Sequence, residues 1–429
     1  MGSIVPDSIH EQLAQCLSKH EDLLWNVNQG IHSHPELCYE EVYAHDTLCK
    51  ALEDLGYKVT RHAYGLKTAF EAEFGTGGAL IVYNAEMDAL PGIGHACGHN
   101  LIATSSLAAF LVTAEALRAD GGEGRVRILG TPAEEDGGGK IDLIRAGAYK
   151  GVDACLMGHP GPGKKSVPLN GVACGKCMAR AGVTATFKGV NAHAGNAPWL
   201  GRNALDAAVA AYNNISMLRQ QITPNQRVHA IISKGGERPN IIPDLTEIEL
   251  YARAETSTDL EDTCQRLIGC FEGAARGAGC TVELKWSQSY KELRPNSSIV
   301  QKFFQATGAQ GQKYLESSPH VSGASTDQGS KSSASTSSSL IRCLTSIIGN
   351  VCFEVPSLHP GFLIEVDSPD IGPHHPGFEK AAGTRSAFDS CLLFAKALAA
   401  TGFDILKNEE LRNQIWSEHK REFGNETQG

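Results

Sequence analysis

Cys97 and His99 stand two residues apart in the run Gly94-His95-Ala96-Cys97-Gly98-His99-Asn100, which follows Asn84-Ala85-Glu86-Met87-Asp88-Ala89-Leu90-Pro91. A thiolate and an imidazole are both ligands for a borderline-soft cation such as zinc, and a helix starting beside them favours the thiolate. Alone the spacing is a weak signal, since a buried cysteine next to a hydrogen-bonded histidine produces the same string. Groups of the same chemical kind recur along the chain: the pair Glu134-Glu135, His159 within Gly158-His159-Pro160, and the pair His374-His375 before Pro376. Paired glutamates most often form a solvated acidic turn. At the end of an apolar strand, however, one carboxylate can hold a metal while its neighbour takes a proton from the water that the metal activates. General-base hydrolysis needs that division of labour.

The elements that must position these groups can be read from hydrophobic pattern. Residues 79–83 read as a buried strand and 101–118 as an apolar, alanine-rich helix, so Cys97 and His99 lie on the loop between them. A second strand is expected over 125–131, ending at Glu134-Glu135, then a helix over 140–148, then a third strand from Ala154 that ends at His159. Strand, helix and strand of these lengths describe a βαβ unit with a parallel, right-handed crossover. All three clusters then fall at carboxyl ends of strands, where open α/β sheets bind their ligands. Chance supplies that convergence far less often than any single cluster.

Residues 7–53 have a helical pattern broken at His34-Pro35-Glu36, so two helices are expected there. His10, His20 and His32 lack acidic or cysteine partners at ligand spacing and read as surface or supporting groups. A chain of 429 residues implies two domains. Its 41% hydrophobic and 20% charged content is that of a globular protein, and a net charge of -10 without a Lys/Arg-rich run argues against a nucleic-acid partner. The longest apolar stretches, 101–117 and 205–215, are interrupted by polar residues, which argues against a membrane partner. The first residues lack a signal-peptide pattern, and the thirteen cysteines read as reduced thiols, so a cytoplasmic location is expected. Cys174 and Cys177 have CxxC spacing without a thioredoxin-like context; structural thiols are the favoured reading, a redox pair the alternative.

From about residue 180 the texture changes. Strands are expected over 183–187, 227–233, 247–253 and 280–286, and helices over 203–221 and 259–277. The order βαββαβ is ferredoxin-like. The fold class is therefore α/β: a split catalytic domain with a mainly parallel sheet, residues 1–178 and 290–429, interrupted by an inserted domain over 179–289. In the insert, His193 lies in a glycine-flanked loop and Asn240 in a turn-rich segment. Arg253 ends a strand and reads equally well as a surface charge. Beyond the insert, residues 351–356 are expected to form a strand and 381–400 a terminal helix.

Taken in order, Met87-Asp88-Ala89-Leu90-Pro91, His95-Ala96-Cys97-Gly98-His99, Glu134-Glu135, Gly158-His159-Pro160, Asn191-Ala192-His193-Ala194 and the late His374 resemble the M20 metallopeptidase and amidohydrolase family. The cysteine-containing branch fits best, the peptidase M20 domain-containing protein 2 and aminobenzoyl-glutamate hydrolase group. The resemblance implies two divalent metal ions, zinc by preference with manganese or cobalt as alternatives, held by Cys97, His99, Glu135, His159 and His374, with Cys97 as the bridge. It makes Glu134 the general base and Asp88 the group that orients a ligand. It makes the insert a lid and a homodimer surface, assigns His193 to the oxyanion, from the partner subunit in one arrangement, and Asn240 and Arg253 to a substrate carboxylate. The implied reaction is hydrolysis of an N-acyl or aminoacyl amino acid or small dipeptide; the alternative is a catalytically inactive scaffold that keeps the fold.

Two departures stand out. The family carries a His-Thr-Pro-like segment where this chain has His374-His375-Pro376, so either histidine could be the last ligand, and His374 is favoured. The serine-rich run 330–339 and the following 340–349 separate Gln328-Gly329 from Asn350-Val351, which the family joins almost directly. Ser330-Lys331-Ser332 can be encoded across a splice-donor sequence, Leu344-Thr345 across a branch sequence and Ile347-Ile348-Gly349 across an acceptor. The hypothesis is that 330–349 is translated intron; the alternative is a low-complexity surface loop, which a compact domain tolerates at modest entropic cost. Sequencing the mature transcript should show these codons missing, and their presence in the sole message would sink the hypothesis.

Overall fold

The computed structural model describes residues 7–164, 166–318, 325–326, 351–368 and 370–424; the serine-rich segment 330–349 lies outside them. A six-stranded sheet runs in the spatial order Val59–Arg61, Phe70–Thr76, Gly124–Thr131, Leu80–Glu86, Ala154–Leu156, Ser357–Leu358. The last four strands pair in parallel, and the first two add an antiparallel edge. Every residue of Leu80–Glu86 is buried, as a parallel strand covered on both faces requires. Ile81, Tyr83 and Ala85 face the helices Asp7–Ser33, His99–Asp120 and Arg385–Lys407. Leu80 and Val82 face Leu143 and Ile144 of the short helix Gly139–Arg145.

His99–Asp120 is long and apolar enough to cross a bilayer by length and composition, and 94% of that stretch is buried inside the fold. The break at Pro35 gives two helices, Asp7–Ser33 and Val42–Asp54. The strand expected over 351–356 is instead a helical turn, Val351–Glu354, followed by the two-residue strand Ser357–Leu358. A short apolar run is compatible with either state. Here the deciding factor is packing, since Val351 joins the cluster under Gly139–Arg145 while Phe353 lies 3.8 Å from the ring of Phe423.

The second large sheet is wholly antiparallel, in the order Arg227–Lys234, Leu245–Ala254, Ala179–Lys188, Thr281–Trp286. With helices Ala204–Leu218 and Ser257–Gly277 it follows the chain order βαββαβ. Alternate residues of Ala179–Lys188 are buried against those helices in a core of their own, and the period of two leaves the opposite face of the sheet without a helix. A four-stranded sheet, Tyr314–Ser317, Gly171–Cys174, Gly361–Glu365, His159–Gly163, completes the larger unit.

The helix Arg385–Lys407 lies so close to the central strand that a Cβ on Gly402 would sit 2.1 Å from Tyr83 Oη, which is bonded to Thr113 Oγ1 at 2.8 Å. Alanine in place of glycine raises helix propensity by about 1 kcal/mol, whereas forcing a methyl into a filled core costs about 1–3 kcal/mol. Gly402→Ala should therefore lower the chemical-denaturation midpoint, and a midpoint equal to or above that of the parent chain would show that the packing is looser than described.

Candidate metal centre

The strand Leu80–Glu86 runs directly into Asp88, and the next helix begins at His99. Gly98 joins the two at φ 82°, and a Cβ there would lie 2.6 Å from Pro160 Cγ, so the close approach of the two loops requires glycine. Across that contact, Cys97 Sγ is 3.2 Å from His159 Nε2. His159 Nδ1 lies 2.7 Å from the Pro160 carbonyl. A proton on Nδ1 satisfies that carbonyl and leaves the Nε2 lone pair facing the sulfur.

Asp88 fixes two further groups. One carboxylate oxygen lies 3.0 Å from His99 Nδ1, and the other accepts from the Glu135 amide at 2.9 Å. The loop carrying Glu134 and Glu135 departs from its strand through Ala133 at φ 57°, whose N–H donates to buried Glu41 at 2.8 Å. His374 also sits at positive φ, 68°, held by its own N–H to the Ala96 carbonyl at 2.9 Å. Its Nε2 reaches Glu135 Oε1 at 3.3 Å. The next histidine acts away from the donors, because His375 Nδ1 accepts from the Gly377 amide and caps the helix Pro376–Ala382.

The donor atoms of Cys97, His99 and His159 lie within 4.8 Å of one another, and so do those of Cys97, Glu135 and His374. Both sets share the sulfur. A third set, Glu86, His99 and Glu134, overlaps the first. Buried His99 Nε2 has no hydrogen-bond partner, although such atoms are normally satisfied. Two imidazole and carboxylate ligand sets converging on one soft sulfur fit two divalent cations.

The electrostatics of the protein atoms agree. Burial, followed by the nearby Glu135 carboxylate, pushes the Cys97 thiol well above its usual pKa. Burial opposes charge on His99, but Asp88 and Cys97 outweigh it and raise the ring well above the imidazole range. Burial likewise opposes ionisation of Glu135, but the His374 ring outweighs it and holds the carboxyl below its usual range. A bound cation would displace the protons that the Cys97 thiol and the His99 ring hold in its absence.

A cavity of about 450 Å³ opens over these groups and is lined by Cys97, Glu134, Glu135, His159, His374 and, from the inserted sheet, Arg253. Arg253 Nη1 donates to Ser325 Oγ at 3.0 Å. His193 and Asn240 do not line it. His193 lies on a two-stranded ribbon, Ala192–His193 against Ile241–Ile242, and Asn240 immediately precedes that second strand, with both side chains exposed. Cys174 and Cys177 are free thiols, and burial raises the pKa of both, Cys177 to about 12. A reactive redox pair needs the opposite shift.

Sequence reasoning missed four contributors. His359 follows Ser357–Leu358, lines the cavity, and has its ring 6.1 Å from that of His159. Burial lowers its pKa to about 3. The signal was present, because Leu358-His359-Pro360 mirrors Gly158-His159-Pro160 at the end of the neighbouring parallel strand. Glu86 and Lys140 form a buried pair at 2.5 Å behind His99. Tyr290 donates its hydroxyl to the Glu134 carbonyl at 2.8 Å, and nothing in its local sequence marks it.

Comparison with known proteins places this geometry. A family model described as peptidase family M20/M25/M40 matches residues 82–336. The chain is 37% identical over 432 residues to a Homo sapiens protein named Xaa-Arg dipeptidase, covering 95% of this chain and 91% of that one. It is 34% identical over 299 residues to a p-aminobenzoyl-glutamate hydrolase polypeptide of Escherichia coli (strain K12), covering 66% and 61% of the two chains. Among solved structures, a Bacillus subtilis protein described as a dinuclear metal binding peptidase from the M20 family superposes with a TM-score of 0.62 at 20% identity, covering 94% of this chain and 99% of that one. An aminobenzoyl-glutamate utilization protein from Klebsiella pneumoniae gives a TM-score of 0.67 at 19% identity, covering 92% and 99%. These neighbours share the α/β fold, and the chain belongs to peptidase family M20/M25/M40.

Proposed function

We propose that the protein is a metal-dependent amidohydrolase that cleaves the amide bond of N-acyl or aminoacyl amino acids or small dipeptides. The observation that carries this reading is the sulfur of Cys97 shared by two ligand sets, with the carboxylate of Glu134 beside them on the same cavity. Cys97, His99 and His159 would hold one cation, and Cys97, Glu135 and His374 the other. Zinc is the metal we infer from the thiolate, with manganese or cobalt as alternatives. When bound, such a pair supplies Lewis-acid polarisation of a carbonyl and a water of lowered pKa.

The protein's own groups do the rest. Glu134 takes the proton of the attacking water and passes it to the leaving nitrogen as the C–N bond breaks. Asp88 holds the His99 ring and the Glu135 backbone in register, so that neither drifts during turnover. Arg253 anchors the substrate carboxylate. A cavity of this size, partly roofed by the inserted sheet, suits a short substrate rather than a protein chain. The twelve described cysteines are all free thiols, which supports a reducing, cytoplasmic setting.

His193 and Asn240 are read as acting on the cavity of a second copy in a homodimer. Trp199 and Leu200 beside them are 77% and 68% exposed, and apolar surface of that size is otherwise best covered. His193 would then stabilise the developing oxyanion in the partner's site.

Two experiments test this. Glu134→Gln preserves shape and removes the base, so turnover of a dipeptide and N-acyl amino acid panel should fall by a factor of about 10² to 10⁴, with metal content unchanged. Metal bound at two equivalents by the parent chain without turnover of any panel member would favour the inactive scaffold instead. For the dimer, co-expressing Glu134→Gln with His193→Ala chains should regain about a quarter of parental activity, because half the dimers are mixed and each mixed dimer has one intact composite site. No recovery in verified mixed dimers would place His193 in its own chain's site.

A further inference from the structure

Side chains from distant parts of the chain grip the backbone that carries Glu134 and Glu135. The loop between the strand Gly124–Thr131 and the helix Gly139–Arg145 belongs to no regular element, so its polar groups must be satisfied one by one. The Ala133 N–H donates to Glu41 at 2.8 Å, the Glu135 N–H donates to Asp88 at 2.9 Å, and the Gly137 carbonyl accepts from Tyr39 Oη at 3.2 Å. Those three side chains come from the first part of the larger unit. Tyr290 comes from the opposite direction, where the chain returns from the inserted sheet. Its hydroxyl donates to the Glu134 carbonyl at 2.8 Å and accepts from the Gly137 N–H at 3.3 Å.

The Glu134 carbonyl and the Glu135 N–H are the two polar ends of one peptide group, and that group is planar. Asp88 holds its N–H end and Tyr290 its carbonyl end. Rotation of this plane would swing the two glutamate side chains relative to each other, so the two bonds together set which carboxylate faces which neighbour. Tyr290 itself has little freedom. It is 2% exposed, and its backbone exchanges two hydrogen bonds with Arg180, at 2.6 and 2.8 Å, across an antiparallel bridge. The Arg180 guanidinium lies 4.8 Å from the centre of its ring. On the loop side, a Cβ at Gly138 would come within 3.3 Å of Tyr290 Cε1.

We propose that Tyr290 is a positioning residue for the base: by holding the carbonyl end of the Glu134–Glu135 peptide, it keeps the Glu134 carboxylate aimed at the reacting water while Asp88 keeps Glu135 among the ligands. The inference rests on Glu134 being the base and deepens the hydrolase reading. It also ties the base to the crossing that carries the insert, because the same tyrosine is bridged to Arg180.

Tyr290→Phe removes the hydroxyl and keeps the ring and the bridge. With the Asp88 bond intact, metal content should stay at the parental value and KM within about twofold, while kcat on the best-cleaved compound of the dipeptide and N-acyl amino acid panel should fall about tenfold or more. A residue that acts through Glu134 loses its influence once the base is gone. In the Glu134→Gln background the same substitution should therefore change kcat by less than about twofold, whereas a merely structural role would lower both backgrounds alike. An unchanged kcat, an additive loss in the double variant, or loss of metal from Tyr290→Phe would each overturn the proposal. Full activity in Glu134→Gln alone would remove the base assignment and this inference with it. An inactive Glu134→Gln beside a fully active Tyr290→Phe would remove only this inference. Amide hydrogen exchange over residues 133–138 of the metal-loaded protein needs no turnover: Tyr290→Phe should speed it about tenfold without lowering protection elsewhere, and unchanged exchange would overturn the proposal even where hydrolysis fails.

Discussion

The buried carboxylate of Asp88 is the constraint on which the rest of the site depends. It lies at the end of the fully buried strand Leu80–Glu86, and its two oxygens are committed to two different segments, the ring of His99 and the amide of Glu135. Burial alone would push a carboxyl toward its neutral form, yet the His99 ring holds Asp88 below its usual range. A single charge therefore sets the orientation of the His99 ring and the position of Glu135. Removing it would free the His99 ring to turn and the Glu134-Glu135 loop to relax from the positive φ at Ala133.

The strain in the site is distributed consistently with that role. Three backbone positions near the donors adopt left-handed φ: Gly98, Ala133 and His374. Only the glycine does so without penalty. Ala133 is compensated by the Glu41 carboxylate, and His374 by its bond to the Ala96 carbonyl. Each compensation ties a loop bearing a donor to another segment of the larger unit, so the donors are fixed by the backbone as well as by their contacts with one another. Such preorganisation is what a site needs if it is to accept cations without rebuilding itself.

Much of this was legible in the sequence because the relevant signals are local. The strand, loop and helix around Cys97 and His99 announce themselves by an apolar run, a polar break and an alanine-rich run. The βαββαβ order of the insert is similarly visible in alternation. What could not be read depends on distant partners. Val351–Glu354 is helical because of what packs on it. Tyr290 matters only because it reaches a carbonyl 156 residues away. The local sequence around Arg253 fits a surface charge as well as a site residue until the register sets it beside Arg180. The choice between His374 and His375 likewise turns on backbone conformation, since the first is aimed inward by its positive φ while the second is spent on a helix cap.

The pair Glu86–Lys140 would disfavour a competing ligand set. Glu86, His99 and Glu134 lie close enough to hold a cation of their own, which would draw His99 away from Cys97. Lys140, wholly buried, places its ammonium 2.5 Å from one oxygen of Glu86. Burial would raise the Glu86 pKa, but that ammonium outweighs it and keeps the carboxylate ionised and already paired. A carboxylate so neutralised is a weaker ligand for a soft cation than the Cys97 sulfur, which lies 3.2 Å from His159 Nε2. A divalent ion placed beside Glu86 would moreover meet the lysine's positive charge at short range in a low dielectric. By itself the buried ion pair contributes little to folding, but it would bias bound cations toward the two sets that share Cys97. In that arrangement Glu134 would stay outside the ligand sets, with its carboxylate free for the proton transfer proposed for it.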